Sequence, residues 1–133
     1  MKKYLFVYGT LMDEFAPPEI AETVRKFEYV GNGFVYGRLY DLGEYPGAIL
    51  DNKTESKIFG RVYQFVPDLS ILQKLDDYEG FSPHQSSSNL FVRKEIPITL
   101  KDGRKINGWI YEYNRSVEPS TLIKSGDYSE LAA

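Results

Sequence analysis

The chain has 133 residues, a length typical of one domain, and its 42 % apolar content is enough for a packed core, which excludes disorder over most of it. A net charge of −3, with Lys and Arg scattered along the chain, excludes the basic footprint of a nucleic-acid-binding protein. The absence of cysteine excludes disulfides, thiolate metal sites and a Cys nucleophile, and the single histidine, His84, excludes a metal site built on several imidazoles.

Abundant aromatics, 11 Tyr and 8 Phe, favour strands, because flat and branched side chains suit a pleated surface. Tyr4 to Tyr8 reads as a buried first strand ended by Gly9. Its apolar run is too short for a signal peptide, and no stretch approaches the roughly 20 apolar residues of a membrane helix. The expected compartment is therefore the cytoplasm, with no membrane and no nucleic acid as partner. Thr10 to Pro18 reads as loop. Pro18 suits the first turn of a helix running to Arg25, with Ile20, Val24 and Phe27 at core-facing spacing.

Phe27 to Tyr40 reads as strand. Gly31, Gly33 and Gly37 within it suggest the bulges or bends that a small barrel needs. Asp41 to Gly47 is rich in turn residues, and Ala48 to Leu50 is a short apolar strand candidate. Lys57 to Val66 alternates as strand. Pro67-Asp68 stops it and starts a second helix, with Leu69, Leu72, Leu75 and Tyr78 on one face and Gly80 as its C-terminal cap. Phe81 to Asn89 is polar loop. Leu90 to Leu100 and Lys105 to Tyr113 form a hairpin around Lys101-Asp102-Gly103. Asn114 to Ala133 shows no strong periodicity and reads as an irregular tail on the surface. The expected architecture is one α+β domain over residues 1–133, a small, mainly antiparallel, barrel-like sheet with two inserted helices.

Two segments carry potential chemistry. Tyr8-Gly9-Thr10-Leu11 follows the first strand, and a glycine there lets successive N–H groups turn outward to form an anion or oxyanion cradle. Taken alone, such a turn serves as well merely to change direction. In Leu75-Asp76-Asp77-Tyr78-Glu79-Gly80, Glu79 falls in the last turn of the second predicted helix, at the negative pole of its dipole. Asp76 lies one turn behind as a like charge. Both effects favour the protonated carboxyl, as a general acid/base at neutral pH requires. The plainer reading of the same residues is a solvated acidic helix end. His84 sits in a polar loop without a carboxylate near it in sequence. Ser86, Ser87 and Ser88 lack a nucleophile elbow. Gly31-Asn32-Gly33 lacks the residues of a phosphate loop. Trp109, Tyr111 and Tyr113 read as one face of a strand.

Taken in order, these segments resemble the gamma-glutamylcyclotransferase-like (AIG2-like) family. Tyr8-Gly9-Thr10-Leu11 is similar to its signature loop. Leu39-Tyr40-Asp41-Leu42-Gly43 with Tyr45-Pro46, and Gly60-Arg61-Val62-Tyr63, resemble the segments that follow. Leu75 to Gly80 is similar to the stretch holding the catalytic glutamate, Phe91 to Lys94 and Trp109 to Asn114 resemble the closing hairpin, and Gly126-Asp127-Tyr128 resembles the tail. Two features depart from the family pattern: Phe91 stands where many relatives carry tyrosine, and the loop from Ser82 to Asn89 is of the variable kind. The resemblance implies an enzyme that releases 5-oxoproline and a free amine from a small γ-glutamyl substrate, with no metal or cofactor. It implies Glu79 as the catalytic acid/base. It also implies substrate binding by Tyr8, Gly9, Thr10 and Leu11, with Tyr45 and Tyr128 lining the pocket. A non-catalytic binding domain of the same fold is the alternative.

Overall fold

The computed structural model describes residues 2–8, 26–42, 46–66, 73, 74, 76, 91–114, 116, 117 and 121–127. Among the described residues seven strands run in chain order: β1 (Lys3–Val7), β2 (Glu28–Asp41), β3 (Pro46–Leu50), β4 (Lys57–Phe65), β5 (Phe91–Leu100), β6 (Lys105–Tyr113) and β7 (Thr121–Leu122). Five of them form a ring in the order β2-β4-β1-β6-β5, and β5 returns to β2 through Gly33↔Leu100 and Phe34↔Thr99. Closure leaves no free edge around the ring. Every pairing is antiparallel except β1 with β6, which meet in parallel at Leu5↔Trp109.

The interior is built from every second residue. On β2, Gly33, Val35, Gly37 and Leu39 are buried, whereas Asn32, Tyr36 and Arg38 are exposed, the period-2 pattern of a strand with one covered face. Phe6, Val35, Ile58, Val62, Ile98 and Ile110 meet in the core. In β1, by contrast, consecutive Leu5, Phe6 and Val7 are all buried. Both faces of this strand are covered, which explains its unbroken apolar run.

Of the three glycines expected to bend β2, only Gly31 adjoins a bulge, where the register to β4 slips between Tyr29 and Gly31. Gly33 and Gly37 keep their register and instead allow close approach. A Cβ on Gly33 would lie 2.7 Å from the Thr99 carbonyl oxygen, at the closing seam. The second half of β2 leaves the ring and pairs with β3 on one side and β7 on the other. β3 begins at Pro46, two residues ahead of the apolar run that signals it in the sequence.

The tail corrects its expectation of irregular surface chain. Thr121 and Leu122 pair with Asp41 and Tyr40, and Ile123 enters the core at 6 % exposure. Main-chain bonds from Ile123 to Leu39 (2.8 Å) and from Phe59 to Gly126 (2.7 Å) fix it there. A two-residue strand is too short to show periodicity. Of the two inserted helices, Pro18 to Arg25 lies outside the described residues. In the second, Gln73, Lys74 and Asp76 are helical, and the rest lies outside. No helix among the described residues is long and apolar enough to cross a membrane.

The β5–β6 hairpin closes on Lys101-Asp102-Gly103. The Gly103 N–H donates to the Leu100 carbonyl at 2.8 Å, and Gly103 takes φ = 94°, so the turn is three residues long and ends in a glycine with positive φ. Asp102 accepts from the Arg104 main-chain N–H at 3.0 Å and from its Nε at 2.8 Å. The main-chain bond, aided by the guanidinium, holds the Asp102 carboxyl below its ordinary value of 3.8. A depressed folded-state value stabilises the fold above about pH 4 and loses that contribution as pH falls further. Asp102→Asn is therefore expected to lower the urea midpoint more at pH 7 than at pH 3. An equal deficit at both values would contradict this.

Candidate active site

β1 delivers Tyr8 to one end of the barrel. Its ring is 6 % exposed, and its hydroxyl donates to the Tyr111 carbonyl oxygen at 2.5 Å and accepts from the Ala48 N–H at 3.3 Å. Ala48 and Leu50 lie opposite Leu39 and Gly37, whose main-chain groups bond away from β3. The N–H groups of Ala48 and Leu50 therefore face the free edge of β3. Tyr8 caps the first, and the Glu112 carboxylate caps the second at 2.8 Å. Glu112 also pairs with Lys94. Two side chains thus close an edge that would otherwise be open to pairing. They hold the middle and the end of β3, at Ala48 and Leu50.

Asp76 is the buried charged residue among those described, at 7 % exposure. A carboxylate removed from water needs donors, and the hairpin supplies them. The Tyr111 hydroxyl donates at 2.6 Å, and one Arg93 nitrogen donates to the two carboxylate oxygens at 2.9 and 3.1 Å. Arg93 and Tyr111 are direct partners across β5 and β6, so both side chains emerge on one face. The Arg93 guanidinium also lies 4.8 Å from the centre of the Trp109 ring, which holds its plane by cation–π attraction.

One expectation about the acidic helix end changes accordingly. Asp76 is not part of a solvated face: it is buried, and the Arg93 charge offsets its own. Tyr111, taken from the sequence as one face of a strand, is the junction of the site: its carbonyl receives Tyr8 and its hydroxyl grips Asp76.

Of the residues singled out in the sequence, Tyr8 is therefore placed. Gly9, Thr10, Leu11, Tyr45, Glu79 and Tyr128 lie outside the described residues, as do His84 and Ser86 to Ser88. Arg93, Tyr111 and Glu112 lie in the segments that resemble the family's closing hairpin, but none of them has a role in the site on the sequence alone. The signal that could have paired them is register: counting back from the Lys101-Asp102-Gly103 turn puts Arg93 opposite Tyr111 and Val92 opposite Glu112. Among the described residues, no group of three or more His, Asp or Glu side chains could hold a metal ion.

The profile of gamma-glutamyl cyclotransferase, AIG2-like proteins matches residues 5–130. The chain belongs to this family. It is 30 % identical over 125 residues to the gamma-glutamylcyclotransferase family protein YtfP of Citrobacter rodentium, covering 93 % of each chain. The solution structure of YtfP from Escherichia coli aligns over all of both chains, with a TM-score of 0.63 and 26 % identity. An AIG2-like protein from Mus musculus shares the fold, with a TM-score of 0.73 over 96 % of this chain and 88 % of that one at 17 % identity. Membership accounts for the ordered segments read from the sequence and for the barrel.

Proposed function

We propose that this protein is a cyclotransferase that releases 5-oxoproline and a free amine from a γ-glutamyl substrate. In this reaction the substrate's own α-amine attacks its side-chain amide carbonyl. A new C–N bond closes the five-membered lactam, and the original amide C–N bond breaks. Both reacting groups sit on one molecule, so catalysis consists of holding the folded conformer and moving protons. Glu79 accepts a proton from the α-ammonium group and returns one to the departing nitrogen. The main-chain N–H groups of Tyr8 to Leu11 bind the glutamyl end and stabilise the developing oxyanion, with Tyr45 and Tyr128 lining the pocket.

The observation that carries this reading is the double attachment at Tyr111. Tyr8 opens the signature loop, and Asp76 lies three residues before Glu79 in the chain. Both are bonded to this one residue. Three residues reach at most about 11 Å, so anchoring Asp76 there supports a carboxyl group and a row of main-chain donors sharing one hollow. Family membership supports the reaction class.

The test is product chromatography after incubating the protein with a panel of γ-glutamyl amines and γ-glutamyl amino acids. Release of 5-oxoproline from at least one of them is expected, in equal amount to the free amine. No release from any, with binding retained, would instead favour the non-catalytic domain.

A further inference from the structure

The reaction proposed above gives no chemical step to Asp76, the most heavily bonded buried charge in the described chain. We propose that Asp76, gripped by Arg93 and Tyr111, is a positioning residue that sets where Glu79 meets the substrate. This assignment rests on the cyclotransferase reading.

Three observations support it. The first concerns energetics. A buried ion pair adds little net stability over apolar side chains of similar volume, because desolvation offsets the attraction. Its geometry, however, is specific, and here it is fixed three ways: by two Arg93 contacts at 2.9 and 3.1 Å, by the Tyr111 hydroxyl at 2.6 Å, and by the Trp109 ring beneath the guanidinium. The second concerns rigidity. Both donors stand opposite each other in a ladder of nine registered pairs from Phe91↔Tyr113 to Thr99↔Lys105. Asp76 is thus tied to the longest paired ladder of the barrel. The third concerns a common origin. Tyr111 also receives the Tyr8 hydroxyl through its carbonyl oxygen. Tyr8 and Asp76 are therefore held through one residue rather than through two independent supports. A displacement of about 1 Å at a reacting group can cost on the order of a hundredfold in rate, which gives such a device a purpose.

The variants are Tyr111→Phe, Arg93→Gln and Arg93→Lys in the full chain. They are assayed for kcat and KM well below their unfolding midpoints and by amide hydrogen exchange. Arg93→Gln strips a buried carboxylate of its cation and can destabilise the fold. Tyr111→Phe removes a single oxygen, leaves the Arg93 contacts in place and keeps the test open. Tyr111→Phe is expected to lower kcat about tenfold with KM within twofold. It should also speed exchange in peptides covering residues 73–80 while leaving residues 91–113 as slow as in the parent. Arg93→Lys, which keeps the charge but not the planar guanidinium, should restore part of the kcat lost in Arg93→Gln. A parent that releases no 5-oxoproline overturns the cyclotransferase reading and this assignment with it. An active parent whose Tyr111→Phe variant keeps both its kcat and its exchange over residues 73–80 overturns this assignment alone.

Discussion

Glu79→Gln is expected to reduce 5-oxoproline release by a hundredfold or more while shifting the thermal midpoint by no more than 2 °C or so. The two side chains are nearly the same shape, so packing is conserved, but the amide cannot accept the ammonium proton. General acid/base groups typically contribute about 10²–10⁴-fold, and in this reaction one group serves two proton transfers, so the upper part of that range applies. The measurement is initial-rate chromatography on whichever γ-glutamyl compound the parent turns over, paired with a melting curve. A variant that keeps a third or more of the parent rate would remove Glu79 from the mechanism. The pairing with the melting curve separates this variant from changes in the Asp76 cluster, where lost rate and lost rigidity are expected together. It also addresses the plain alternative that the acidic helix end is only a solvated surface, since a solvated carboxylate can be replaced by its amide without consequence.

The barrel was legible in the sequence because its strands obey simple periods. β6 has the bounds expected of it, Lys105–Tyr113, because a turn with glycine at its end fixes the register and alternation does the rest. The aromatic content found its place as cross-strand pairs, such as Phe91 against Tyr113 with ring centres 5.4 Å apart. What stayed hidden has a common physical cause. The contacts of Asp76 with Arg93 and Tyr111 join positions 17 and 35 residues apart in the chain. A charged residue reads as solvent-facing unless its partner is known. The closing pairs of β5 with β2 and the short β7 likewise depend on chain closure, which no local pattern encodes. Tyr8 was singled out in the sequence through the loop that follows it. Its second role, capping the Ala48 N–H on the edge of β3, was not, because that edge exists only after β2 has left the ring.

The largest stability effect is expected from Gly60→Ala. Gly60 lies on β4 between β2 and β1, opposite Gly33. A Cβ built there would stand 2.4 Å from the Val7 carbonyl oxygen and 2.8 Å from the tip of the Phe6 ring. Neither neighbour can yield easily. The first is main chain in a paired strand, and the second is fully packed in the core. Overpacking of this kind costs about 1–3 kcal/mol and occasionally more. With a backbone atom as the obstacle, about 3 kcal/mol is expected, a fall in the melting midpoint of roughly 10 °C for a domain of this size. The displaced atom is the last carbonyl before Tyr8, so the same methyl pushes on the exit of β1 and on the Tyr8 hydroxyl bonds to Tyr111 and Ala48. Activity should therefore fall at temperatures where the variant remains folded. Gly103→Ala provides the contrast. Nothing lies within 4 Å of its Cβ, and only the positive φ of the hairpin turn resists it, a cost of about 1 kcal/mol far from Tyr8. Melting curves and rates for the two variants decide the matter: if Gly60→Ala melts no lower than Gly103→Ala, the close approach of β4 to the exit of β1 does not hold the site together.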